Sequence, residues 1–182
     1  MAVLALLAEE PMHVYRMQQL IRERAKDTVI NVASRNSVHQ VVGRLEADNL
    51  ISATTTGQEP RRTTYALTEH GAQALGAWLN DLLARPRQEF PRFPAALAFV
   101  ALMSPQQVAS RLRDRIIVLR EQLSKDEPHE IAQALNLPRV FLLEDEYKWA
   151  LANAELIWLQ AVVADLETGE LTWPAGRPSI FD

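Results

Sequence analysis

The chain has 182 residues, 48 % of them hydrophobic, with no cysteine and a formal net charge of −4. That length admits one domain or two small ones, and a mean hydropathy of −0.12 suits a globular protein rather than a disordered or membrane one. The lack of cysteine excludes a disulfide framework and a thiolate zinc site. No apolar run approaches the ~20 residues that span a bilayer. The apolar opening Ala2–Ala8 has no basic start and is too short for a signal peptide, so a cytoplasmic location is expected.

The charge is unevenly spread. Residues 1–86 hold nine Lys/Arg and nine Asp/Glu, and the ten basic and fourteen acidic side chains that follow account for the whole excess. A neutral first half leaves room for a local basic face. Between the halves, Pro86, Pro91 and Pro94 fall within nine positions. Proline removes a donor and disfavours helix in the residue before it, so this stretch divides the chain. Domains are expected at 1–86 and 95–182.

In chain order, Ala2–Ala8 reads as a short buried helix ended by Glu9-Glu10-Pro11. Val14, Met17, Ile21 and Ala25 then recur at helical spacing. Thr28–Val32 is β-branched and suits a small strand. Ser34 can cap a helix whose inner face is Val38, Val41 or Val42, and Leu45, and whose end is Asp48-Asn49. Leu50–Thr56 and Arg62–Leu67 are strand-like, joined by the polar turn Gly57–Arg61. Thr68-Glu69 opens a further helix through Leu75, Trp78, Leu79 and Leu82. This order, helices interrupted by one small strand and one hairpin, predicts a mainly α winged helix-turn-helix domain.

The second half reads as all-helical. Ser104-Pro105-Gln106-Gln107 has a capping serine, proline at the first helical position and glutamine at the third. Val108, Leu112, Ile116, Leu119 and Leu123 follow as one stripe, and Pro128 interrupts the chain. From Leu137-Pro138 a helix of about 30 residues, ~45 Å long, is expected to reach Thr168-Gly169. Its stripe (Leu143, Tyr147, Leu151, Ala154, Trp158) is longer than a small domain can cover, which predicts a homodimer interface.

In a helix-turn-helix, the second helix meets base edges near its N-terminus while neighbouring groups hold the phosphates. With Val38 facing the core, Arg35, Asn36, Ser37, His39 and Gln40 are the candidate groove contacts, since arginine suits guanine and the amides suit adenine. Arg44, one turn on, and Arg61 and Arg62 on the hairpin are the candidate backbone contacts. Phe90, Phe93, Trp149 and Trp158 could line an apolar pocket for a small planar effector, although the same aromatics can equally fill a dimer core. His13, His39, His70 and His129 form no metal-binding motif. No nucleophile elbow, phosphate loop or dinucleotide fingerprint is present, so neither catalysis nor a cofactor is expected. The acidic run Glu144–Glu146 reads as a solvated face.

Three segments resemble the PadR-type regulators. Leu6–Tyr15 is similar to the family's opening, Ser37–Ile51 to its recognition helix and the turn after it, and Arg62–Gly71 to its second wing strand and the following helix start; Trp78-Leu79 falls where the family has the same pair. Val14 and Asn49 stand where the family has glycine, and His39 where it has tyrosine. The resemblance covers about residues 4–80. It implies a homodimeric regulator, a repressor or an activator, that binds a pseudo-palindromic operator in double-stranded DNA and is released by a small molecule. The competing expectation is a winged-helix module for protein–protein contact without DNA, consistent with the acidic total.

Overall fold

The computed structural model describes residues 1–24, 26, 35–55, 63–125, 128 and 136–173. The expected strand Thr28–Val32, the Ser34 cap, the turn Gly57–Arg61 and the tail from Pro174 onward lie outside them. The chain divides into two compact units, Met1–Gln88 and Glu89–Asp182. The described residues are mainly helical, with one small antiparallel sheet among them.

In the first unit, α1 (Ala2–Glu9), α2 (Val14–Glu23) and α3 (Arg35–Ala47) are followed by β1 (Ile51–Thr55), β2 (Thr63–Leu67) and α4 (Glu69–Ala84). The apolar spacing read from the sequence becomes the core: Leu4 and Leu7 of α1, Met17 and Ile21 of α2, and Val38, Val42 and Leu45 of α3 are buried together with Leu50, Ile51 and Leu75. The strands pair in the register Ile51↔Leu67 to Thr55↔Thr63. A third participant is a single residue. Met12 N donates to the Tyr65 carbonyl and Tyr65 N to the Met12 carbonyl, both at 3.0 Å. Pro11 favours extended backbone in Glu10, which sits at φ −162°, ψ 154°. The α1–α2 connection is thereby sewn to β2, which has β1 on its other side.

The end of α3 is fixed by a Schellman motif. Asn49 adopts φ 55°, its N–H bonds to the Glu46 carbonyl, and the Leu50 N–H bonds to the Leu45 carbonyl, each at 2.9 Å. Asparagine tolerates this left-handed conformation better than most side chains do, and the buried Leu45 and Leu50 supply the hydrophobic contribution the motif favours. Thr68 then joins the end of α3 to the start of α4. Its hydroxyl donates to the Asn49 carbonyl at 2.8 Å and accepts from Gly71 N at 2.9 Å, while its own N–H reaches the Leu50 carbonyl at 3.2 Å. The helices come so close here that a Cβ on Gly71 would lie 1.9 Å from the Leu50 oxygen.

The second unit contains α5 (Arg92–Leu97), a 3-10 turn at Val100–Leu102, α6 (Pro105–Lys125), a 3-10 turn at Arg139–Leu142 and α7 (Leu143–Thr168). The capping box at the head of α6 forms as the sequence predicts: Ser104 N donates to Gln107 Oε1 at 3.0 Å and Gln107 N to Ser104 Oγ at 3.3 Å. Val108, Leu112, Ile116 and Leu119 of α6 pack on Leu159, Val163 and Leu166 of α7. Trp173 Nε1 donates to the Met103 carbonyl at 2.6 Å, so the chain beyond α7 returns to the start of α6 and the two helices run antiparallel.

The long helix is shorter than the sequence suggested. It has 26 residues, about 39 Å. Pro138 holds extended backbone, and Leu142 at φ −116°, ψ 0° separates the 3-10 turn from the α-helix. Glu144, Asp145 and Glu146 occupy its first turn, where carboxylates complement the N-terminal dipole. Glu146 is also held by Arg139 at 2.9 Å, and Asp145 by Lys148 at 2.6 Å.

Two outcomes follow from the first unit. Gly71→Ala should lower its stability by about 1–3 kcal/mol, the range for forcing atoms into a filled site, as read by urea denaturation. Arg24 grips Glu9 through two hydrogen bonds of 2.5 and 2.7 Å, and these bonds hold the Glu9 carboxyl below the usual carboxylate range. A lowered folded-state value gives stability that is present above the ordinary carboxylate range and is lost as pH falls through the depressed value. Because both side chains are half-exposed, Glu9→Gln should cost under about 1 kcal/mol at pH 7 and nothing in strong acid, measured as unfolding midpoints against pH.

Candidate nucleic-acid interface

The site is built on α3. Val38 and Val42 are 2 % exposed, and Val41 packs half-buried against the same core. Helical geometry therefore turns His39, Gln40, Gly43 and Arg44 outward, and all four are exposed. Arg44 Nε reaches back 3.4 Å to the Gln40 carbonyl, which lays its stem along the helix toward the N-terminus. Arg35, Asn36 and Ser37 form the first turn of α3, and their side chains lie outside the described residues, as do Arg61 and Arg62 altogether. The structure thus groups His39, Gln40 and Arg44 on one open face.

The elements around α3 set its angle. α2 packs against it from one side, α1 from another, and β1 continues from its C-terminal turn. His13, the residue before α2, donates from Nδ1 to the Thr63 carbonyl at 2.8 Å, so the start of α2 is tied to the same strand that Met12 joins. On that strand Tyr65 is half-buried, and burial together with the nearby Glu46 carboxylate pushes its phenol pKa up, which keeps it neutral. These side chain–backbone ties were not visible in the sequence, because they join residues some fifty positions apart.

The glycines differ in what they do for the fold. Gly71 is required by the close approach to Leu50, and Gly169 at φ 81° ends α7 in the left-handed conformation. Gly43 and Gly76 stand inside helices with nothing within 4 Å of a Cβ built on them. A helix-interior glycine costs about 1 kcal/mol relative to alanine.

Residues 3–77 match the family described as "Transcriptional regulator PadR-like family". Over those residues the first unit is similar to the PadR-like regulators. That family consists of transcriptional regulators rather than enzymes. The chain is similar in fold to Bacillus subtilis PadR solved with operator DNA, at 19% identity, covering 91% of this chain and 95% of that one with a TM-score of 0.67. The same protein solved with p-coumaric acid gives 18% identity, coverage of 91% and 96%, and a TM-score of 0.73. A PadR-like regulator of Bacillus cereus gives 15%, coverage of 92% and 96%, and 0.62. A comparison with curated protein sequences gave no match. At these identities the solved structures establish a shared fold.

In the second unit, the expected interface residues Leu143, Tyr147, Leu151, Ala154 and Trp158 fall on one side of α7, and all are exposed in the single chain, Tyr147 at 66% and Leu151 at 54%. The side of α7 that meets α6 is different: Leu156, Leu159, Val163 and Leu166. Of the four candidate pocket aromatics the structure brings two together. Phe93 and Trp158 meet edge to face, centroids 6.3 Å apart, and the Arg115 guanidinium lies 3.8 Å over the Phe93 ring while its Nε bonds to Glu155. Phe90 is 89% exposed and takes no part. Trp149 is half-buried, and its buried Nε1 has no hydrogen-bond partner among the described residues. Arg115 and Glu155 were missed from the sequence, where each reads as one more charged residue on a helix surface. No three His, Asp or Glu side chains converge as a metal site among the described residues, and no described helix is long and apolar enough to cross a membrane.

Proposed function

We infer that this protein is a cytoplasmic, sequence-specific DNA-binding transcriptional regulator acting as a homodimer, a repressor released by a small planar aromatic compound. The observation that carries the DNA reading is the open polar face of α3, with His39, Gln40 and Arg44 exposed on a helix whose other side is locked into the core. The solved complex of B. subtilis PadR with operator DNA supports it by analogy of fold. In this reading Arg35, Asn36, Ser37, His39 and Gln40 meet base edges, and Arg44, Arg61 and Arg62 meet phosphates. Two copies related by a twofold axis would set their recognition helices about 34 Å apart in successive major grooves.

The uncovered stripe on α7 supports the dimer. Four large apolar side chains and one alanine at helically spaced positions, exposed in one chain, are what a second chain would bury. The effector reading rests on the Phe93–Trp158 pair and on the p-coumaric acid complex of B. subtilis PadR.

Three experiments test these roles. In mobility-shift titrations with DNA from upstream of its own gene, Arg44→Ala should weaken binding to all sequences and reduce the slope of log affinity against log salt by about 0.9. An unchanged slope removes Arg44 from the phosphate contacts, and no binding by the parent protein even at low salt favours a protein partner instead. Leu151→Glu should turn a dimer into a monomer in sedimentation with helix content intact, because Leu151 lies outside the α6–α7 core; a persisting dimer removes α7 from the interface. A planar aromatic acid should quench tryptophan fluorescence and weaken the DNA complex, and Trp158→Ala should abolish both effects. Failure of both across a panel of such acids removes the effector site.

A further inference from the structure

His13 spends its side chain on the hairpin rather than on its own helix. It stands at the N-cap of α2, in extended backbone at φ −80°, ψ 154°, yet its ring makes no capping bond to that helix. Its Nδ1 lies 2.8 Å from the Thr63 carbonyl and 3.3 Å from Thr64 Oγ1. A carbonyl can only accept, so Nδ1 carries the proton and the hydroxyl oxygen accepts the weaker share of it. The place of this bond on the strand matters. Tyr65 turns both main-chain groups to Met12, away from β1, and the alternation of an antiparallel ladder turns those of Thr63 the same way. A further strand would continue along that edge by pairing Val14 with Thr63, but Val14 already opens α2. The imidazole donates there in place of the backbone. Thr63 is the first residue of β2, and Arg61 and Arg62 immediately precede it in the chain.

We propose that His13 is a positioning residue for the two hairpin arginines. By holding the Thr63 carbonyl it fixes the direction in which the chain leaves β2 toward Arg62 and Arg61, and so brings those cations to the phosphates of a duplex engaged by α3. This rests on the DNA-binding reading above and adds to it a residue that touches no nucleotide itself. The ring is exposed, so replacing it leaves the core of the first unit intact. One hydrogen bond is worth at most a factor of about ten, so its loss should weaken DNA binding by about three- to tenfold.

The test uses the full-length protein and a duplex that it selects from a randomised pool. Affinity against salt is measured for the parent, His13→Ala, His13→Asn and His13→Gln, each also in a chain carrying Arg61→Ala and Arg62→Ala. Asparagine places its amide nitrogen close to where Nδ1 stands, whereas glutamine places it nearer Nε2. His13→Ala and His13→Gln should bind about three- to tenfold more weakly than the parent. Their salt slopes should flatten by less than the ~1.8 that loss of two phosphate contacts gives. His13→Asn should bind like the parent. In the chain without the two arginines, none of the three substitutions should weaken binding further, because nothing is left for the ring to position. A loss by His13→Ala of equal size in both chains overturns the proposal, since the ring then acts otherwise than through the arginines. Parent-like binding by His13→Ala overturns it too. Should His13→Ala melt well below the parent, the asparagine and glutamine variants decide alone, and equal binding by those two overturns it. If removing both arginines leaves the binding of the parent unchanged, the proposal falls while contact through α3 stands. If the parent enriches no duplex at all, the DNA reading falls and the proposal falls with it.

Discussion

The first unit depends on a few ångströms of backbone where α3 ends and α4 begins. Asn49 turns left-handed, Leu50 buries its side chain in the core and turns its carbonyl toward the start of α4, and Thr68 takes up the carbonyls of both residues while capping α4. Gly71 allows the approach, since any side chain there would strike the Leu50 oxygen. The Asn49 and Leu50 carbonyls, just past the end of one helix, thus bond to the residue that starts the next, and the hairpin between them has its base fixed at Ile51↔Leu67. An exposed recognition surface is useful only if its helix cannot roll. Here the C-terminal end of α3 is held by hydrogen bonds and its inner face by Val38, Val42 and Leu45.

Much of this was legible in the residues. Local signals survived almost unchanged: the Ser104 capping box, the Thr68 helix start, the asparagine that ends α3 and the apolar spacing of α2 and α6 all concern neighbours a turn or two apart, where side-chain chemistry and backbone geometry are directly coupled. The polar face of α3 was legible for the same reason, because fixing Val38 inward fixes His39 and Gln40 outward. What the sequence did not disclose depends on tertiary encounter. Met12 joins the hairpin through main-chain groups alone, which no side chain advertises. Arg115 finds Phe93 and Glu155 only once α6 and α7 lie antiparallel. The head of α7 was misjudged because Pro138 is compatible with a helix start, and only the dihedrals of Leu142 reveal the 3-10 turn between.

The second unit uses one helix for two purposes. Leu159, Val163 and Leu166 close the core with α6, while the opposite side of α7 stays apolar and uncovered from Leu143 to Trp158. A helix apolar on one side would satisfy a lone antiparallel pair, so the second apolar side is surplus to the folding of this unit. Trp158 stands where the two demands meet, since it touches Phe93 within its own chain and also ends the uncovered stripe. In the proposed reading, that position lets occupancy of a small aromatic site and the seating of a second subunit influence each other through a single side chain.

The Met12 bridge carries a consequence for sequence drift. Its two hydrogen bonds to Tyr65 come from the peptide group, so the side chain answers only to the core, where it is buried. Leucine or isoleucine could replace it with little penalty. Proline could not, because its nitrogen has no hydrogen to give the Tyr65 carbonyl. The neighbouring Pro11 is subject to the opposite rule, since the ring that would break the stitch at position 12 helps to extend the chain into it from position 11. Adjacent positions in one connector thus face contrary demands, and a single-residue insertion or deletion there would cut the hairpin loose from the first two helices without altering any helix or strand.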